Sequence, residues 1–195
     1  MRTYYAFPAL IGLALIIGHV AAVLAAAPAQ IKAGVAALSP ENTRIQFVCA
    51  HMKPKQPDPR TGHFAKFTGQ AQIDAATKSL KSISVEIDTA SLTTEIDKLT
   101  NHLKSPDFFE VRQYPTAKFE STKITPAQGK SEITGKLTLH GVTKEISFPA
   151  TVAITPSGLS LHSEFSINRS QFGMTFGTNQ VEDKVALTVT IGDKK

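Results

Sequence analysis

Apolar residues recur at alternate positions in eight separate segments of this chain. In one of them Ile83, Val85 and Ile87 alternate with serine, glutamate and aspartate. A period of two is typical of strands with one face in the core and one in solvent, whereas the strands of parallel sheets are apolar on both faces. The pattern therefore predicts eight antiparallel strands, over residues 45–49, 67–73, 83–87, 117–119, 133–139, 146–154, 159–167 and 185–191.

One segment has helical spacing instead. Its apolar residues lie three and four positions apart, at Ile96, Leu99 and Leu103. This spacing predicts a helix over residues 95–103, with Thr93 or Thr94 placed to cap its first turn. We expect the helix to lie over one end of the sheet. A second irregular region, residues 168–183, holds phenylalanine and methionine among glycines.

Eight antiparallel strands in about 150 residues form either a sandwich or a closed barrel, and the alternation alone does not separate the two. A barrel of eight strands is about the size that holds one small ligand. Small residues at inward positions would leave space inside such a barrel, or would merely relieve crowding at its corners. They are Gly69, Ala71, Gly135 and Ala150.

The amino terminus has the order of a secretory signal. Arg2 precedes an apolar stretch over residues 7–24, and small residues then offer a cleavage site after Ala29 or, alternatively, after Ala25. About 18 apolar residues also approach the minimum for spanning a bilayer, so an uncleaved anchor is the other interpretation. We therefore expect a periplasmic or secreted protein. Its predicted organisation is a signal over 1–29, a linker over 30–41 and one folded domain over 42–191.

Composition argues against several functional classes. The formal net charge of +5 is spread along 195 residues without a run of five basic residues, so no nucleic-acid partner is expected. A single cysteine, Cys49, excludes an internal disulfide and a Cys-x-x-Cys motif. The six histidines do not pair at metal-binding spacings, and no Gly-x-Ser-x-Gly motif is present. We expect no metal, no cofactor, no catalytic residues and no enzymatic activity.

Phenylalanine dominates the aromatic residues, with 11 Phe against three Tyr and no Trp. Because Phe lacks a hydrogen-bonding group, this excess favours an apolar ligand. Phe109 and Phe172, in the irregular segments, are the expected gate, whereas Phe148 is expected in the closed core. The predicted apolar ligand contacts are Phe47, Phe64, Phe67, Phe108, Phe109, Phe119, Phe165, Phe172, Met174 and Phe176.

Two polar residues are candidates for the polar end of an amphiphile. His51 shares the inward parity of Phe47 and Cys49, and the alternative is a solvated loop residue. Arg169 could bind a pyrophosphate or carboxylate in forked geometry, or form an ion pair with Glu182 or Asp183.

Six segments resemble, in order, those of the YceI-like family of exported lipid-binding proteins. They are residues 62–69, 85–91, 102–111, 114–122, 135–144 and 167–174. The resemblance implies an all-β fold, an eight-stranded antiparallel lipocalin-like barrel with a helix over one end. It also implies that a polyisoprenoid or similar long amphiphilic lipid occupies an apolar channel. The proline-rich segment 53–60 departs from the family's usual connection at a place where a barrel mouth could be.

These observations favour an exported protein that sequesters or carries a long-chain isoprenoid or fatty lipid. The alternative is an accessory or enzyme of quinone-linked redox chemistry that uses the same cavity. A structural or stress-induced envelope protein is the third interpretation. A homodimer and proximity to a membrane stay open at this point.

Overall fold

Twelve strands and one α-helix make up the computed structural model, which describes residues 28–32, 34–53, 59–127 and 129–192. All strand pairings are antiparallel within these residues. The strands are β1 (Ile31–Lys32), β2 (Val35–Leu38), β3 (Thr43–Cys49), β4 (Arg60–Phe64), β5 (Phe67–Asp74), β6 (Ser79–Asp88), β7 (Leu92–Thr94), β8 (Thr116–Thr125), β9 (Ser131–Leu139), β10 (Val142–Thr155), β11 (Gly158–Asn168) and β12 (Lys184–Ile191).

The prediction of an all-β antiparallel fold with a single helix is confirmed. All eight predicted strands are present, as β3, β5, β6 and β8 to β12. The strand count differs from the prediction because four further strands, β1, β2, β4 and β7, join the sheet. Each of these has between two and five residues, which is too short to display a clear period of two.

The strands form one curved sheet, a half-barrel. Their order is β1-β2-β5-β6-β8-β9-β10-β11-β12-β3-β4-β7. Register shifts interrupt the β5–β6 ladder at Gln72/Ile73 and the β8–β9 ladder at Ser121/Lys123. Such bulges bend a strand and increase its twist, which helps the sheet to curve around its apolar face.

Residues 30–41, expected to be a linker, contribute β1 and β2 to the sheet. Ala36 and Leu38 of β2 are buried in the core. Ala29 is also fully buried, and its carbonyl accepts a hydrogen bond of 3.0 Å from the Leu159 amide. The packed domain therefore begins before residue 42. Residues 1–27 of the predicted signal and 54–58 of the proline-rich segment lie outside the described residues.

Helix α1 spans Asp97–Lys104 and begins two residues later than predicted. Its N-cap residue, Ile96, is extended and provides no side-chain cap. The predicted cap at Thr93 or Thr94 is wrong, because pairing with β4 holds both threonines in β7. Among the described residues, no helix is long and apolar enough to cross a membrane.

Buried apolar side chains pack in three clusters within the described part of the chain. The largest includes Leu38, Ile133 and Leu161 and joins strands from β2 to β12. The other two centre on Phe64 and on Phe172, and Phe109 packs against both of them. This arrangement leaves an internal space that the clusters and α1 surround.

Candidate ligand-binding cavity

A cavity of about 320 Å³ lies between the concave face of the sheet and helix α1. Small-molecule sites in proteins usually have volumes of about 300–1,000 Å³. Strands β3, β6 and β8 to β12 contribute aliphatic and aromatic side chains to its walls, among them Ile45, Val85, Ile133, Leu137, Phe148 and Leu187. Because these side chains offer no hydrogen-bonding groups, the walls suit the apolar part of a ligand.

Ten of the twelve predicted ligand contacts line this cavity. They are Phe47, His51, Phe64, Phe108, Phe109, Phe119, Phe165, Arg169, Met174 and Phe176. Their contact with a ligand stays a prediction. Phe148 is buried in the largest core cluster, as predicted. It also lines the cavity, where its ring stacks on Phe165 at a centroid distance of 4.2 Å.

Phe67 and Phe172 do not line the cavity. Phe67, at the start of β5, is buried in the cluster around Phe64 and Leu92. Phe172 is 0% exposed in a 3₁₀ turn and packs against Ala117, Leu139 and Met174. The predicted gate role of Phe172 does not fit this position, because its ring is enclosed by core side chains.

Two groups of aromatic rings stand beside the cavity near α1. Phe47, Phe64 and Phe109 contact one another, with ring centroids 5.8–6.2 Å apart. His102, Phe108 and Phe176 form a second group, with centroids 5.1–5.4 Å apart. Phe176 is 45% exposed, so its ring lies at the outer rim of the cavity.

Residues 37–192 match the sequence profile described as the YceI-like domain. The chain belongs to the YceI-like family. A UPF0312 protein of Pseudomonas putida is 42% identical over 91 residues, which are 46% of this chain and 47% of that protein. A UPF0312 protein of Pseudomonas syringae pv. tomato is 44% identical over 91 residues, which are again 46% of this chain and 47% of that protein. The chain thus spans about half the length of the curated relatives it matches.

Solved structures share the fold of this YceI-like protein. BcnA of Burkholderia cenocepacia superposes with a TM-score of 0.69 at 29% identity, over 76% of this chain and 94% of BcnA. A YceI protein of Campylobacter jejuni gives a TM-score of 0.62 at 29% identity, over 74% and 90%. A polyisoprenoid binding domain from Saccharophagus degradans gives 0.61 over 82% and 97%; at 16% identity this likeness shows the fold alone.

Arg169 binds main-chain carbonyls and, within the described part of the chain, does not form the predicted ion pair, while its contact with an anionic head group stays a prediction. The residue is 4% exposed, and its guanidinium donates to four main-chain carbonyls. The distances are 3.0 Å to Glu182, 2.8 Å to Met174, 2.7 Å to Phe176 and 3.1 Å to Val181. The expected ion pair with a Glu182 or Asp183 side chain is not formed among the described residues; Asp183 accepts hydrogen bonds from Ser170 instead. Arg169 therefore clamps residues 174–182 of this YceI-like protein.

His51 lies at the cavity, as its parity predicted. It is half-buried and forms an isolated β-bridge with Val181, so the interpretation as a solvated loop residue does not hold. The main-chain carbonyl of Val181 also accepts a hydrogen bond from Arg169. These contacts join the end of β3 to the segment before β12.

Several polar cavity residues were missed from the sequence. They are Cys49, Arg60, Thr61, Thr94, His102 and Gln180. A usable signal existed in β4, where Arg60 has the same parity as Gly62 and Phe64. This five-residue strand was not predicted, because the proline-rich segment before it indicated a loop. All these polar residues lie at strand ends, in α1 or in the segment before β12, near the α1 end of the cavity.

A histidine on the outer side of β4 has a perturbed pKa. His63 alternates with Gly62 and Phe64 and pairs with Gln46 and Thr93. Burial, followed by the positive charge of Arg44, lowers the pKa of His63 below its usual range. Within residues 28–32, 34–53, 59–127 and 129–192, no group of three His, Cys, Asp or Glu side chains is placed to hold a metal ion.

Proposed function

We propose that this YceI-like protein binds one long-chain isoprenoid or other amphiphilic lipid in the cavity, and carries or sequesters it outside the cytoplasm. The observation that carries the proposal is the division of the lining into two parts. Strand walls such as those at Ile133 and Phe165 are apolar, whereas polar side chains are confined to the end near α1. An amphiphile fits this division with its tail on the strand walls and its head group near α1.

Two further findings support the proposal. One solved structure with the same fold is named a polyisoprenoid binding domain. The amino-terminal order of a basic residue, an apolar stretch and small residues favours export to the periplasm or the medium. A quinone with an isoprenoid tail is a neutral member of the same ligand class. We propose binding without turnover.

Native mass spectrometry of the protein purified from the exported fraction tests this function. We expect an adduct that organic extraction releases and identifies as a long-chain lipid. Delipidated protein should then rebind one equivalent of an isoprenoid such as geranylgeraniol. Protein that is repeatedly empty and takes up neither isoprenoids nor fatty lipids would overturn the proposal.

A matched pair of variants locates the ligand within the protein. Leu187 of β12 lines the cavity, while its neighbour Ala186 points outward and is exposed. Leu187→Trp should fill part of the cavity and weaken binding, whereas Ala186→Trp adds the same ring outside it. Equal affinities for the two variants, with both proteins folded by circular dichroism, would place the ligand elsewhere.

A further inference from the structure

Arg60 is the first residue of β4 and lies on the inward face of the sheet. It pairs with Cys49 of β3, and directly opposed residues of an antiparallel pair project from the same face. Phe64, four residues further along β4, shares this face because side chains alternate along a strand. Arg60, Cys49 and Phe64 all line the cavity.

One nitrogen of the Arg60 guanidinium lacks a hydrogen-bond acceptor among the described residues. Its Nη1 atom is buried, and it has no hydrogen-bond partner in the part of the chain that the structure describes. A buried donor without an acceptor is destabilising, and the penalty is larger when the donor carries a charge. Such a group in a native protein requires an explanation, and an acceptor on a bound ligand would provide one.

The other described residues that line the cavity do not neutralise the positive charge of Arg60. Among the described residues that line it, none is an aspartate or glutamate, whereas two are arginines. Arg169 binds four carbonyl oxygens, which orient its guanidinium without supplying a negative charge. His102 has a carboxylate partner, Asp107, at 2.8 Å, but both of these side chains are more than 40% exposed. The described part of the lining therefore contains two permanent positive charges and no negative charge.

We propose that Arg60 binds the anionic head group of the lipid, and this inference rests on the proposed function. The ligand class is an amphiphile with one carboxylate or phosphate and an apolar tail. A guanidinium matches either head group with two parallel charge-assisted hydrogen bonds. A neutral head group, such as an alcohol or a quinone, leaves the positive charge of Arg60 uncompensated. The tail then extends from β4 past Phe64 along the strand walls.

The test compares anionic and neutral lipids that have the same tail. Oleate is titrated against oleyl alcohol, and geranylgeranyl phosphate against geranylgeraniol, with delipidated protein. We expect each anion to bind about tenfold or more tightly than its alcohol, since a charge-assisted hydrogen bond has about that effect. Arg60→Gln should remove this preference, and Arg60→Lys should retain part of it. The lipid pair that shows the larger preference for the anion over the alcohol identifies the head group, as carboxylate for the oleyl pair or phosphate for the geranylgeranyl pair.

Arg44 provides the matched control. It lies on the outward face of β3 and is exposed, and its Nε donates to Gln46 rather than facing the cavity. Arg44→Gln removes the same charge as Arg60→Gln but should preserve the preference for anions. Melting of the lipid-free proteins provides a second readout. Arg60→Gln should not lower the melting temperature, and a marked decrease would mean that Arg60 has a structural partner and would overturn the proposal.

Cys49 reports binding at this position, because it lies opposite Arg60 and is the only cysteine of the chain. Oleate or geranylgeranyl phosphate should slow its alkylation by iodoacetamide in the wild-type protein, and less so in Arg60→Gln. Equal affinities for anions and alcohols, or an unchanged preference in Arg60→Gln, would overturn this inference and leave the proposed function intact. Failure of the wild-type protein to bind any of the four lipids would instead overturn the proposed function.

Discussion

The guanidinium of Arg169 fixes the main chain of Phe176, whose carbonyl oxygen lies 2.7 Å from Nη1. The Phe176 ring in turn lies edge-on to His102 of α1, with a centroid distance of 5.3 Å. A buried arginine thus positions the segment that meets the helix at the rim of the cavity. The same arginine binds the carbonyls of Met174 and Val181, so one side chain orders most of residues 174–182.

Replacing Arg169 by lysine should destabilise the protein by about 3 kcal/mol or more. Lysine retains the charge, but its single nitrogen cannot reach the four carbonyls that the planar guanidinium binds, and buried acceptors left unpaired are costly. Denaturant unfolding of lipid-free protein measures the change. The exposed Arg44→Lys is the control and should change stability by less than about 0.5 kcal/mol. A loss for Arg169→Lys no larger than that of the control would mean that the clamp contributes nothing.

The rim and core phenylalanines should respond differently to truncation. Phe172→Ala removes a ring that is 0% exposed and should cost about 3–5 kcal/mol, without a specific effect on lipid release. Phe176→Ala removes a ring that is 45% exposed and should cost about 1 kcal/mol or less. If Phe176 covers the opening, its loss should speed lipid release, as should that of Phe109. Stopped-flow lipid transfer and thermal melts separate these effects, and unchanged release in both Phe176→Ala and Phe109→Ala would exclude a gate.

Gly62 allows the Phe47 ring to lie against β4. A Cβ at residue 62 would overlap the ring, because Phe47 is the direct partner of Gly62 in the β3–β4 ladder. Gly62→Ala should push the ring into the cavity, weaken lipid binding and destabilise the protein by about 1–3 kcal/mol. Phe47→Leu should relieve the overlap, so the double variant should bind lipid better than Gly62→Ala alone. Additive effects in this double-mutant cycle would contradict the packing described.

Stability should decrease at acidic pH through His63. Its pKa is lowered in the folded protein by burial and by Arg44, so the unfolded chain takes up the proton first. The contribution of neutral His63 is fully present above the unfolded pKa of about 6.5. This contribution is lost as the pH falls below that value. The loss is complete once the pH is below the pKa of His63 in the folded protein. Denaturant midpoints between about pH 8 and 5 should show this decrease in the wild-type protein and a smaller one in His63→Gln; identical curves would refute it.

The folded domain should need Ala29. Its side chain is fully buried and its carbonyl binds the Leu159 amide. A chain that begins at residue 26 should therefore be more stable, by about 1–2 kcal/mol, than one that begins at residue 30. Thermal melts of the two chains measure the difference. We accordingly expect cleavage after Ala25 rather than after Ala29, which mass spectrometry of the exported protein can test.

The sequence by itself determined the strand content of this YceI-like protein. Alternation is a local property, so the eight longer strands could be read from neighbouring residues such as Ile83 and Val85. The same parity placed Phe47 and His51 at the cavity. Short strands such as β1 and β7 carry too few residues for a period to appear, and their pairing with distant strands decides their conformation.

Only the tertiary structure decided which inward residues meet the ligand space. Phe172 and Phe176 lie four residues apart in one irregular segment, yet one is enclosed by β8 and β9 and the other lies at the rim. Arg169 and Arg60 are both arginines at the cavity. Backbone carbonyls surround the Arg169 guanidinium, whereas Nη1 of Arg60 has no hydrogen-bond partner among the described residues. These differences arise from contacts between segments that are far apart in the chain. Local periodicity carries no information on such contacts. It predicts on which face of the sheet a side chain lies, but not which other segments pack against that face.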